Sequence, residues 1–137
     1  MDVRRLTAWP FLGAVPEAEL DAIARVAKDH TTSAGQPLTT EGDFGHCLFL
    51  IEEGTADVTI DGAPVGSVGP GDVVGEVAVL ASGRRTATVV ATSELRSIAI
   101  FKRDVWALDR EAPTAARLLR EALETHLAAP AGDHGTD

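Results

Sequence analysis

Apolar positions along this chain change their period twice, and each change marks a change of secondary structure. Between Pro16 and Lys28 the residues Leu20, Ile23, Ala24 and Ala27 recur at helical spacing, and Glu17 and Glu19 stand in the first turn, where carboxylates complement the helix dipole. A short helix is expected there. From Thr31 to Ile100 the chain runs in short stretches rich in Val, Ile and Thr, separated by Gly, Pro and Asp at nearly even intervals, as an all-β barrel or sandwich requires. The clearest strands run from Cys47 to Ile51, Thr55 to Ile60, Thr86 to Ala91 and Leu95 to Ile100. Asp61-Gly62 is a hairpin signal that joins the second of these to a strand from Ala63 to Val68 and sets their register. After Ile100 the helical period returns through Val105, Trp106 and Leu108, and again through Ala115, Leu118, Leu119, Ala122, Leu123 and Leu127, with Pro113 suited to the first turn of the second helix. The stretch from Ala129 to Asp137 lacks large apolar groups and is expected to be a disordered tail behind a single domain over residues 1–128. No internal repeat is present.

Size and charge narrow the function classes. With 137 residues, 45% of them hydrophobic, the chain suffices for one domain with its own core. Twenty-one acidic residues against twelve basic ones leave a net charge of −9, which opposes binding to nucleic acid or to an anionic membrane. The pairs Arg4-Arg5 and Lys102-Arg103 are too short for a phosphate-backbone patch and read as solvated charge. Cys47 is the sole cysteine, so no internal disulfide is possible and a reducing cytoplasm is the natural setting. Beside Leu48, Phe49, Leu50 and Ile51 it reads as a small buried residue. No long apolar run follows the N-terminus, so neither a signal peptide nor a membrane span is expected.

Chemistry concentrates between Gly71 and Val89, where the chain reads GDVVGEVAVLASGRRTATV. A glycine at position 75 lets the backbone approach a ligand, and the amides of Glu76, Val77 and Ala78 that follow can turn outward as a nest for an anion. Arg85 offers a planar, permanently charged fork that matches two anionic oxygens. The Glu76 carboxylate is an acceptor only, and beside a bound anion it needs donors such as sugar hydroxyls. Together they suit an anionic sugar phosphate. Catalysis finds less support. His30, His46 and His134 show no metal-ligand spacing, so a cupin-like metal barrel fails on inventory, and the neighbours Glu52 and Glu53 would face opposite sides of an extended strand at a hairpin rim. No enzyme activity, metal or cofactor is expected.

These residues resemble the cyclic nucleotide-binding domain family. Its phosphate-binding cassette has the form G-E-φ-A-φ-φ, a short spacer, then P/R-R-T/S/A-A-T-V, with φ apolar, and this chain has GEVAVLASGRRTATV. The likeness extends to Glu41-Gly42-Asp43, to Ile51-Glu52-Glu53-Gly54, to Val68-Gly69-Pro70-Gly71-Asp72 and to the entry segment Trp9-Pro10-Phe11-Leu12. Val74 departs from the family's usual Phe behind the cassette, and Arg84 from its common Pro. The resemblance implies a mainly β domain, a β-barrel or jelly roll of about eight strands, with a helix before it and helices after it. It implies cAMP or cGMP as ligand, with Arg85 on the phosphate, Glu76 on the ribose, and Gly75, Val77, Ala78 and Ala87 in the cassette. Thr86 can reach a phosphate oxygen or a base donor, which leaves base selectivity open. Val58 and Val68 are implied to line the purine, and Leu123 and His126 on the last helix to form a lid over it.

The expected function is a ligand-responsive switch that acts on an effector protein, or through self-association by the helix carrying Leu118, Leu119 and Leu123. Ligand contacts would shift the population of positions open to that helix. A barrel of the same shape that binds no nucleotide and serves as an assembly module is the alternative.

Overall fold

The run Leu48-Phe49-Leu50-Ile51 has no polar position, and in the computed structural model of the chain its strand is covered on both faces. The structure describes residues 1–75, 85 and 87–128, apart from the side chains of 120 and 122–128. Helix α1 (Val3–Leu6), a 3-10 turn (Pro10–Leu12) and helix α2 (Glu17–Val26) come first. Eight strands follow among the described residues: β1 Lys28–Thr32, β2 Pro37–Thr39, β3 Cys47–Glu53, β4 Ala56–Ile60, β5 Ala63–Val68, β6 Val73–Val74, β7 Thr88–Ala91 and β8 Leu95–Phe101. Helices α3 (Lys102–Glu111) and α4 (Pro113–Ala128) come after them. The strands form two four-stranded antiparallel sheets, ordered β1-β8-β3-β6 and β2-β7-β4-β5, which make a jelly roll.

The period-two alternation of strand side chains divides the apolar residues between two cores. Phe49 and Ile51 of β3 join Leu95 and Ala99 of β8 and, from the second sheet, Val58, Val68, Val89 and Ala91 in a core between the sheets. Leu48, Leu50, Ile98 and Ile100, at the intervening positions of β3 and β8, belong to a second core with Leu6, Trp9, Leu12, Leu20, Ile23, Leu108 and Leu119 from the helical segments. The β3–β8 pair is therefore a wall with the jelly-roll interior on one side and the helices on the other. No helix of the described residues is long and apolar enough to cross a membrane.

The hairpin signal holds. Asp61 (φ 52°) and Gly62 (φ 79°) both adopt left-handed backbone between the paired residues Ile60 and Ala63, as a two-residue turn matched to strand twist requires. Other boundaries move. The first helix ends at Val26 rather than Lys28, because Ala27 takes extended backbone (φ −73°, ψ 140°) and Lys28 enters β1 opposite Ala99. Strand β1 escapes periodicity because four of its five residues are exposed, and its pairing with β8 alone defines it. The segment before α2 buries Leu6, Trp9 and Leu12 without a helical repeat long enough to register.

Arg5 is not the solvated charge its neighbourhood in sequence suggests. Its Nε and Nη2 donate to the Glu52 carboxylate at 2.9 and 2.7 Å, and Nη2 also reaches Asp29 at 2.7 Å. The guanidinium holds the Asp29 carboxyl below its usual range and ties α1 to β1 and β3. Glu52 and Glu53 end β3, and Glu53 lies 3.7 Å from Arg96. Leu119, expected on a self-association face, is only 5% exposed and belongs to the helical core, with Leu118 packed against it.

One non-helical residue, Ala112 (φ −142°, ψ 63°), separates α3 from α4. Its methyl group cannot cap a helix, and the missing acceptor comes from another helix: Glu19 Oε1 on α2 accepts the Thr114 N–H at 2.8 Å and the Ala115 N–H at 3.1 Å. Desolvation pushes the Glu19 carboxyl up, but bonds from Thr114 and Ala115, with Arg117 nearby, outweigh it and hold the group below its ordinary value of 4.5. A lowered folded-state pKa means that the contribution is complete above pH 4.5 and is lost as pH falls through the folded value. The gap in thermal midpoint between wild type and Glu19→Gln should therefore be open at pH 7 and close in acid, as scanning calorimetry across that range would measure. A gap that does not depend on pH would contradict the assignment.

Candidate functional site

Arg85 is only 7% exposed, and a charge so enclosed requires partners. Its Nη2 donates to the Cys47 carbonyl at 2.7 Å, and its Cζ lies 5.6 Å from the centroid of the Phe49 ring, in the range of a cation–π contact. The segment between β2 and β3 grips its backbone. The Arg85 N–H donates to the Asp43 carbonyl at 2.7 Å, and the Arg85 carbonyl accepts the Gly42 N–H at 3.0 Å. Two further bonds continue this seam: Thr39 Oγ1 donates to the Ala87 carbonyl at 3.1 Å, and the Glu41 N–H donates to Thr88 Oγ1 at 3.0 Å.

Gly75 follows β6 at a φ of 93°, and a Cβ placed there would collide with the Arg85 guanidinium and come within 3.0 Å of the Cys47 carbonyl oxygen. Only glycine meets both demands, because it has no Cβ and adopts positive φ freely. The backbone at Gly75 and the head of Arg85 are thus in contact. A cavity of about 230 Å³ opens beside them, lined in part by Thr39, Asp43, His46, Cys47, Phe49 and Arg85. Cys47 is half-buried, and that burial pushes its thiol up against the weaker pull of Arg85, which disfavours a reactive thiolate.

The remaining expected site residues divide into three groups. Val58, Val68, Val74 and Ala87 are at most 2% exposed and share the inter-sheet core with Phe49, the residue against which Arg85 rests. Glu76, Val77, Ala78 and Thr86 lie outside the described residues, as does the stretch 129–137. Leu123 and His126 fall on α4, but their side chains also lie outside the description. Sequence reasoning missed Phe49, which reads as an ordinary strand residue, and the Cys47 carbonyl, which no side-chain pattern can announce. The nearest signal was Glu41-Gly42-Asp43, two of whose residues hold the Arg85 backbone. Among the described residues no group of three or more His, Cys, Asp and Glu could hold a metal ion.

The family described as Cyclic nucleotide-binding domain matches residues 30–111, a span that runs from β1 through α3 and contains Gly75 and Arg85. The chain belongs to this family. The domain is 31% identical over 124 residues to the Cyclic AMP receptor protein of Thermus thermophilus, covering 85% of this chain and 56% of that protein. It is 31% identical over 100 residues to the cAMP-dependent protein kinase regulatory subunit of Yarrowia lipolytica, covering 73% of this chain and 24% of that one. The chain thus spans 56% of one relative and 24% of the other. Among solved structures, the Thermus thermophilus Catabolite Activator Protein matches with a TM-score of 0.76 at 28% identity, over 86% of this chain and 58% of that chain. The regulatory subunit of a cAMP-independent protein kinase A from Trypanosoma brucei matches with a TM-score of 0.80 at 24% identity, over 93% and 45%, a likeness that carries the fold alone.

The contact between Gly75 and Arg85 yields a direct test. Gly75→Ala should cost about 1–2 kcal/mol of stability from left-handed backbone alone, before any displacement of the guanidinium is counted. Urea unfolding of the variant beside wild type measures it, and an unchanged midpoint would show that the close packing at this residue is not formed.

Proposed function

We propose that this domain binds a cyclic nucleotide, with cAMP as the first expectation and cGMP as the second, and works as a non-catalytic, ligand-responsive switch on a partner protein. The observation that carries the reading is the buried Arg85 guanidinium packed against the open backbone of Gly75. A diester phosphate presented there would draw the fork from the neutral Cys47 carbonyl to an anionic acceptor, and charge-assisted bonds of that kind are roughly twice as strong as neutral ones. The amides from Gly75 through Ala78 would complete the cradle, Glu76 would accept from the ribose hydroxyls, and Thr86 would add a hydroxyl toward phosphate or base. Val58, Val68, Val74 and Ala87 supply the apolar wall of that region, and Leu123 and His126 are the lid candidates on α4.

The switch follows from the joint at Ala112. Ligand that favours one angle of α4 over another shifts the population toward it by no more than its differential affinity for the two positions. The effector, or a second copy of the chain, would read that angle. Fold alone does not carry cAMP, since a solved structure with this architecture belongs to a cAMP-independent kinase. The ligand must be tested directly.

Calorimetric titration with cAMP and then cGMP does so. Wild type should show one saturable site, and a ligand at a hundred times its dissociation constant should add about 2.7 kcal/mol to the unfolding free energy. Arg85→Ala should weaken binding roughly 30-fold or more, the usual loss when one member of a buried charged pair is truncated. No heat and no thermal shift with cAMP, cGMP or cyclic dinucleotides would overturn the proposal in favour of a nucleotide-free assembly module.

A further inference from the structure

We infer that the outer face of α3, with the adjoining segment before β3, docks an acidic stretch of another protein that also presents an apolar side chain. The chain has only four phenylalanines and two tryptophans, yet three of these rings stand open to solvent: Phe44 at 61%, Phe101 at 39% and Trp106 at 55% exposure. Single exposed rings are ordinary, but a group of them marks an interaction site. These three adjoin one another. Phe44 and His46 line the cavity beside Arg85, and His46 also lines a second cavity of about 240 Å³ with Phe101, Lys102 and Arg103. The His46 carbonyl accepts the Lys102 N–H at 2.9 Å, which ties the segment before β3 to the start of α3, and Trp106 follows one turn along that helix.

Cations share this face. At 3.6 residues per turn, Lys102, Trp106, Arg110 and Arg103 fall within an arc of about 100° on α3, turned away from the buried Val105 and Leu108. Asp104, Asp109 and Glu111 fall outside that arc. Lys102 Nζ lies 5.1 Å from the Trp106 ring centroid, and Arg103 Cζ lies 5.8 Å from that of Phe101, both in cation–π range. The pair Lys102-Arg103, which reads in sequence as solvated charge, is thus held against rings at the surface. A cation placed this way keeps its charge and has less rotamer freedom to lose when an acceptor arrives. In a chain of net charge −9, a stripe with three cations and no acid is a local exception that attracts carboxylates. Tryptophan and arginine are also the residues that most often carry the energy of protein interfaces.

Shape and charge together select the occupant. A bilayer or a nucleic acid would meet the negative field of the rest of the chain over a wide area, whereas a short protein segment meets the stripe alone. The cavity at Phe101 is smaller than the roughly 300–1,000 Å³ of small-molecule sites, which suits one inserted side chain. A second copy in two-fold contact would set Lys102, Arg103 and Arg110 against their own counterparts, and like charges oppose that pairing. The occupant is therefore a foreign segment. Its carboxylates reach the cations along about 12 Å of helix, from Lys102 to Arg110 at 1.5 Å per residue, and its aliphatic or aromatic side chain enters beside Phe101. The contact needs no nucleotide, so it stands apart from the reading of the Arg85 site.

Selection of random short peptides displayed on phage, with the full chain as bait, tests the surface. The peptides recovered should be rich in Asp and Glu around a Leu, Ile or Phe. A synthetic consensus peptide should shield Trp106 from acrylamide quenching while the fully buried Trp9 is unaffected, and should bind more weakly as salt rises. Its affinity, read by calorimetry, should fall roughly tenfold or more in Trp106→Ala and in the double variant Lys102→Glu/Arg103→Glu, and should largely survive Trp106→Phe, which keeps a ring. None of the three side chains is in the core, so the variants should melt with wild type, and the quenching and salt measurements judge the surface without them. No consensus, a consensus without carboxylates, or equal binding by the double variant overturns the proposal. Co-sedimentation of wild type with phosphatidylserine vesicles that the double variant loses overturns it in favour of a membrane. A Trp106-dependent dimer in sedimentation velocity, with no peptide selected, overturns it in favour of self-pairing.

Discussion

A guanidinium buried in an acidic protein organises the region around it. Taking a charge out of water costs several kcal/mol unless partners compensate, so Arg85 constrains everything within its reach. The Cys47 carbonyl must point at it, the Phe49 ring lies against it, and the chain at Gly75 must carry no side chain and adopt left-handed backbone. Thr39 and the segment between β2 and β3 are then stitched to Arg85, Ala87 and Thr88 by backbone and hydroxyl bonds that keep the arginine in place. A guanidinium presented this way is pre-organised, because its position is settled by the fold.

The β3–β8 pair gives this arrangement a route to the rest of the molecule. Phe49 rests against Arg85 in the inter-sheet core, while its chain neighbours Leu48 and Leu50 pack among the helices. Cores at native density transmit displacement rather than absorb it, so a change at the arginine and a change in the helical layer are mechanically adjacent. Single non-helical residues, Ala27 and Ala112, join α2 to β1 and α3 to α4 within the helical layer. Family membership and this layout agree on a cyclic nucleotide-binding domain in which Arg85 lies on one side of a wall and the helices on the other.

Much of the fold is legible in the sequence. The strands from Cys47, from Leu95 and on either side of Asp61-Gly62 follow from alternation and turn chemistry, and the two C-terminal helices follow from their period. The arginine and glycine of the site follow from side-chain chemistry at loop spacing and from a family likeness that the residue 30–111 match bears out. Strands β1, β2 and β6 did not, since a short or mostly exposed strand has no apolar signature and exists only because a neighbour pairs with it. Arg5 and Glu19 were readable as charges but not as a tie and a helix cap, because their partners stand 47 and 95 residues away.

What the chain determined by itself was local: where it bends, which stretches alternate, and which side chains can bear an anion. Those properties come from the backbone and from residues within a turn or two. Tertiary structure alone decided which carbonyl receives Arg85, which helix caps α4, and that Leu119 is spent on the core rather than offered to a partner. Each of those outcomes depends on a meeting of residues distant in sequence. Spacing along a chain carries no record of such meetings until the sheets have paired and the helices have packed against them.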